Sequence, residues 1–205
     1  LKPIVYASEL VKSHLLDSCE VKQKTIEACT PAILRAAEIL VRALGSGGKV
    51  LLCGNGGSAA DCQHMAAELV SRMTRTLERP GLPVIALTTD TSFLTAFAND
   101  YDYADVFAWQ LRAHGRPGDV LIGISTSGNS ENVVRAVAAA RQARMSVITL
   151  TGSEGRLLSL ADVAISVPSR NTQHIQETHL GIEHLLCYFV EHALFDQSRE
   201  LRFSA

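Results

Sequence analysis

Five short, nearly unbroken apolar runs constrain this chain more than any other feature: KVLLC at 49–53, VIAL at 84–87, VLIGI at 120–124, SVITL at 146–150 and VAISV at 163–167. A strand with one wet face alternates apolar and polar residues. Continuous apolar runs instead fit strands covered on both faces, the condition of a parallel sheet between two helical layers. Helical patterns separate several of the runs, at 58–72, 91–98 and 130–143, and a longer one fills 172–195. Alternation of strand and helix implies right-handed crossovers. The expected fold is therefore α/β: a three-layer αβα sandwich around a doubly wound, parallel, five-stranded sheet. Ahead of it, apolar residues recur at three and four, and Pro31 after Thr30 resembles a first-turn proline, so two helices are expected over 6–28 and 31–44. The 205 residues suit one domain: N-terminal helices over 1–47, an α/β core over 48–170, and a last helix and tail over 171–205.

Composition excludes some functions. A net charge of -2 argues against a general nucleic-acid binder, which needs a basic face to displace counterions. No apolar run approaches the ~20 residues that cross a bilayer. Lys2, Glu9, Lys12 and His14 interrupt the opening segment, so no signal peptide is expected and a cytoplasmic location follows by default. The five cysteines form no C-x-x-C pair and are odd in number, which favours reduced side chains used for packing.

Ligands of doubly wound sheets sit beyond the carboxyl ends of the strands. Two loops there stand out. Gly54-Asn55-Gly56-Gly57-Ser58 follows the first strand and opens a helix. Its glycines let backbone approach a ligand, and the helix start offers free N–H groups. An ordinary turn with Ser58 as N-cap is the plainer reading. The motif is neither a Walker loop nor a G-x-G-x-x-G fingerprint. Ser125-Thr126-Ser127-Gly128-Asn129-Ser130 follows the third strand and also opens a helix. Its hydroxyls and N–H groups can hold a phosphate without Lys or Arg; a solvated serine-rich turn is the alternative.

His64 and Glu68 lie four apart on a helical pattern and share a face, which suits an acid/base pair, a shared metal or a merely solvated contact. Arg72 stands four further on, where it can pair with Glu68 or meet a ligand. The last helix carries Gln176, Glu177, His179, Glu183 and His184. His174 and His179 look like supporting or surface residues, Cys53 and Cys62 like packing residues without an activating partner, and Phe107 and Trp109 like helix-packing residues.

CGNGGSAAD at 53–61 followed by ISTSGNS at 124–130 resembles the SIS (sugar isomerase) domain family, and the likeness runs from the first helices to HALF at 192–195. It implies a phosphosugar ligand, with Ser125, Thr126, Ser127 and Ser130 on the phosphate and Asn55, Gly56, Gly57, Ser58, Asn99 and Asp100 on the rest of the substrate. H-x-x-x-E at 64–68 and Q-E-x-H-x-x-x-x-H at 176–184 are similar to the phosphoheptose isomerases. That resemblance implies an aldose–ketose isomerase working through an enediolate on sedoheptulose 7-phosphate. It makes Glu68 the base and a substrate contact, His184 its acid/base partner, and Gln176 a substrate contact. It also implies one zinc per subunit on His64, Glu68, Gln176 and His184, and a homotetramer with sites at subunit interfaces. A non-catalytic SIS protein that binds the replication initiator is the alternative. Gln176 and His184 are eight apart, ~12 Å along a regular helix, which makes one shared metal awkward for a single undistorted helix. Gly181 as a distortion, ligands from different subunits, or a substrate-holding Gln176 each resolve it.

Overall fold

The computed structural model describes residues 6–196, 198 and 200–203. Strands β1 (Val50–Gly54), β2 (Val84–Ala86), β3 (Val120–Ser125), β4 (Ser146–Thr151) and β5 (Val163–Ser166) form one sheet in the order β2-β1-β3-β4-β5. All four pairings are parallel. Each apolar run is a strand, its ends moved by a residue or two at most. β1 and β3 are buried at every position, as strands covered on both sides must be.

Alternate strand residues feed two separate cores. Val50, Leu52, Val120, Ile122, Ile148 and Leu150 pack beneath α1 (Ala7–Gly45), α2 (Gly57–Val70) and α7 (Thr172–Phe195). Leu51, Cys53, Leu121 and Val147 point to the opposite layer. That layer holds α3 (Thr91–Asp100), a 3-10 turn (Tyr103–Asp105), α4 (Val106–His114), α5 (Glu131–Gln142) and the short α6 (Leu157–Leu160). Cys53 and Cys62 are free and buried, and burial drives the Cys53 thiol up to about 12 and that of Cys62 well above its ordinary value. They are packing residues, not nucleophiles.

The expectation of two N-terminal helices is corrected. One helix of 39 residues runs through Pro31. Proline removes an N–H and crowds the carbonyl four residues back, here that of Glu27. Both Pro31 and Glu27 are exposed, so water can serve the stranded carbonyl. The buried stripe Thr25, Cys29, Ile33, Ala36, Leu40 and Leu44 continues across the proline without a change of face. Continuous packing on the sheet thus outweighs the local break. Ile33 and Leu40 belong to this intramolecular core, whereas Val11 and Leu15 are exposed; Ile4 lies outside the described residues.

The sheet order reverses between β1 and β3. The glycine turn after β1 and the serine loop after β3 therefore open on either side of the topological switch point, where doubly wound sheets bind ligands. Among the described residues no helix is long and apolar enough to cross a membrane.

Candidate active site

Backbone geometry builds the two loops. β1 ends at Gly54, Asn55 follows, and Gly56 takes φ +57 before α2 starts. A Cβ on Gly57 would come within 2.0 Å of the Gln176 amide nitrogen, so a bare backbone is what lets α7 lay that side chain across the start of α2. Ser58 is buried directly behind. In the second loop the Ser125 hydroxyl lies 2.9 Å from that of Ser130 and 3.3 Å from that of Ser127. Ser130 occupies the N-cap of α5 but makes no side-chain cap bond; its hydroxyl turns inward to Ser125 instead. Three hydroxyls thus gather at the amino end of a 12-residue helix, whose dipole favours an anion. Gly128, at φ +63, lies so close to Glu154 and Gly155 that any side chain would strike backbone. Thr126 and Ser127 line a cleft of about 290 Å³ with Ser153, Ser169 and Arg170.

Beside these loops, α2 and α7 run in the same direction, joined at successive levels. Gln176 lies against Gly57 and near Asp61 at the first level. His184 meets His64 at the next, the two Nε2 atoms 2.8 Å apart and the rings edge-on. Glu68 lies one turn along, its Oε1 3.8 Å from His64 Nε2. At the third level Glu191 accepts from the Met73 and Thr74 N–H groups and pairs with Arg79, both side chains fully buried. Arg79 in turn donates to the carbonyls of Glu68 and Leu69, which closes the C-terminal end of α2. The proton-transfer candidates His64, Glu68 and His184 therefore meet across a helix pair fixed at both ends.

Other expectations fare differently. α2 ends at Val70, so Arg72 is off the helix and pairs with Glu78, not Glu68. His174 and His179 are buried rather than on the surface. His179 bonds to the Thr151 carbonyl, and desolvation lowers it to about 4. Asn99 and Asp100 end α3, exposed, with the Asn99 amide donating to Asp100. Phe107 is buried, whereas Trp109 is half exposed in a stack with Phe97 and Tyr101.

Sequence reasoning gave no role to four residues that the structure brings to the site. Asp61 and Glu183 are buried between α2 and α7, and both Glu183 oxygens lack hydrogen-bond partners among the described residues. Burial, then the nearby Asp61, raises Glu183 to about 8, which keeps it protonated at neutral pH. Asn132, buried on α5, exchanges hydrogen bonds with Asn55. Tyr103 donates to the same Asn55 oxygen.

A parallel 2-1-3-4-5 sheet with a glycine turn and a hydroxyl loop at its switch point defines the class, and residues 15–152 match the model of the SIS domain. A phosphoheptose isomerase from Roseiflexus is 55% identical over 88% of this chain and 91% of its own length. One from Maridesulfovibrio salexigens is 49% identical over 95% of each. The solved phosphoheptose isomerase of Francisella tularensis superposes with a TM-score of 0.87 at 40% identity, covering 91% of this chain and 99% of that one. The chain belongs to the phosphoheptose isomerase family.

Proposed function

We propose that this protein interconverts sedoheptulose 7-phosphate and D-glycero-D-manno-heptose 7-phosphate through an enediolate, the first step of nucleotide-activated heptose synthesis for lipopolysaccharide or other surface glycans. Family membership makes it a sugar-phosphate isomerase. The observation that carries the finer reading is the meeting of His64, Glu68 and His184 beside a hydroxyl-lined loop.

Ser125, Thr126, Ser127 and Ser130 hold the phosphate with hydroxyl and backbone donors. Asn55, Gly56, Gly57, Ser58, Asn99, Asp100 and Gln176 position the sugar. Glu68 removes the proton next to the carbonyl, and His184 services the oxygens as the double bond migrates. A binding-only role gains no support, since Glu68 and His184 are both present, each beside His64.

Zinc is part of the proposal. Two imidazoles and a carboxylate are donors that zinc accepts, and His64 and His184 already direct Nε2 at one another. Among the described residues no three His, Cys, Asp or Glu side chains stand as a finished ligand cluster. Gln176 would add an amide oxygen to His64, Glu68 and His184. A bound zinc would polarise the sugar oxygens and stabilise negative charge on them.

A cytoplasmic homotetramer completes the proposal. Leu10, Val11, Leu15, Leu16 and Ile26 on α1 and Leu185 on α7 are exposed apolar side chains, which helix packing between subunits would cover.

The deciding assay incubates purified protein with sedoheptulose 7-phosphate and detects the aldose, with glucosamine 6-phosphate and arabinose 5-phosphate as controls. Isomerisation of a control in place of the heptulose would refute the assignment.

A further inference from the structure

Asn55 stands at the mouth of the switch point, and its side-chain amide is held from two sides. Its Oδ1 accepts from Asn132 Nδ2 at 2.8 Å and from the Tyr103 hydroxyl at 3.3 Å. Its Nδ2 donates to Asn132 Oδ1 at 2.9 Å. A primary amide has two lone-pair directions on oxygen and two N–H bonds. The two acceptor positions and one donor of Asn55 are thus committed. One N–H remains for a ligand.

The partners are themselves fixed. Asn132 is buried on the first turn of α5, the helix that follows the serine loop. One turn along, Arg135 binds Asp105 at 2.6 Å and reaches Asp102 at 3.6 Å. These contacts tie the 3-10 turn carrying Tyr103 to α5, so both groups that orient Asn55 rest on one helix. The amide pair also bridges the reversal in strand order, because Asn55 follows β1 and Asn132 belongs to the helix after β3.

We infer that Asn132 and Tyr103 are positioning residues that lock Asn55 as a hydrogen-bond donor, so that it recognises an oxygen lone pair of the phosphosugar and accepts no hydroxyl proton. This rests on the reading of Asn55 as a substrate contact of a sugar-phosphate isomerase. Neither residue need touch the substrate; both act through the amide.

Asn132→Asp keeps the shape and the acceptor but removes the N–H given to Asn55 Oδ1. With a carboxylate there, an acceptor faces Asn55 Oδ1 in place of a donor, and the bond that fixes the orientation of the amide is lost. KM for sedoheptulose 7-phosphate is expected to rise about tenfold, the worth of one hydrogen bond, and to change more than kcat. Tyr103→Phe, at a half-exposed site, removes only the weaker bond and is expected to raise KM about two- to fivefold.

The deciding measurement is the double-mutant cycle with Asn55→Ala. Once the amide is gone, both substitutions should change KM by less than about twofold. Equal effects with and without Asn55, or no effect of either substitution, would overturn the inference. Should Asn132→Asp melt well below the parent protein, the Tyr103→Phe arm decides alone. Calorimetric Kd values for sedoheptulose 7-phosphate, taken in parallel, separate the two readings. Binding without turnover refutes the isomerase assignment and leaves the cycle to be scored in Kd; neither binding nor turnover refutes both.

Discussion

Lowering the pH is expected to destabilise this protein through one buried histidine on α7. His179 is fully buried, its Nε2 meets the Thr151 carbonyl at 3.1 Å, and its Nδ1 has no partner among the described residues. Desolvation lowers its pKa from 6.5 to about 4. Between those values the unfolded chain binds a proton that the native protein refuses, so stability rises with pH across the window. The contribution is complete above 6.5 and is lost as pH falls toward about 4. A shift of that size amounts to roughly 3 kcal/mol, of which about 2.5 kcal/mol is already lost near pH 4.5. His179→Gln removes the titration and leaves other ionisable groups in place. Urea unfolding of both proteins at several pH values, near 4.5 to near 8, gives the assay. His179→Gln should carry a constant penalty for poorer packing, while its stability difference from the parent shrinks or reverses by about 2–3 kcal/mol toward low pH. A difference independent of pH would show that His179 titrates alike in both states, and would refute the claim that burial holds it neutral.

Four further outcomes are expected. Glu68→Gln and His184→Gln should each lower turnover by ~10²-fold or more with unchanged circular dichroism, and mixing the two variants after subunit exchange should restore activity if subunits share the site. Gly57→Ala places a methyl group against the Gln176 amide, the flexible end of a side chain, so the fold should survive while KM rises roughly three- to tenfold as Gln176 is displaced. Glu191→Ala leaves the buried Arg79 uncompensated and should cost about 3–5 kcal/mol in chemical denaturation; unchanged stability would count against the closure of α2 described above. Chelation, verified by elemental analysis, should lower activity or thermal stability, and metal-free protein equal to loaded protein in both would remove zinc from the proposal.

The sheet was legible because a both-sides-covered strand has no polar face to disguise it, and each of the five apolar runs is a strand. The long first helix was not, since a proline is a local signal while the stripe from Thr25 to Leu44 that overrides it depends on packing against the sheet. His64 and Glu68 could be paired from their spacing on one helix. The meeting of His64 with His184 could not, because spacing says nothing of how α2 and α7 lie in register, and only the family likeness suggested it. Asn132 and Tyr103 stand 77 and 48 residues from the Asn55 they orient. Their side chains carry no pattern, and only the switch-point topology brings them together. Arg72 shows the opposite failure: a spacing suited to pairing with Glu68 lost its meaning once the helix stopped at Val70.

The spacing of eight from Gln176 to His184 raised the question of how one helix could send both to one place. In the single chain they occupy two levels of the same ladder. Gln176 reaches Gly57 and Asp61, and His184 reaches His64. Gly57 and His64 are themselves seven residues apart, ~10 Å along α2, so the two helices advance together and the spacing is a consequence of their parallel course. A distortion at Gly181 is not needed, since that glycine lies inside α7 with open space about its Cα. This separation suits a substrate held at one end and reacted at the other. Gln176 stands at the glycine turn, where the proposal places the sugar, and Glu68 and His184 stand where it has the proton moved. The same fact sets a condition on zinc: for Gln176 to join His64, Glu68 and His184, its amide must leave Gly57 and Asp61. Gly57→Ala therefore reports on both roles. If Gln176 serves mainly to hold substrate, the displaced amide raises KM and leaves zinc content unchanged. If it serves mainly as a ligand, zinc content in the purified protein changes along with turnover.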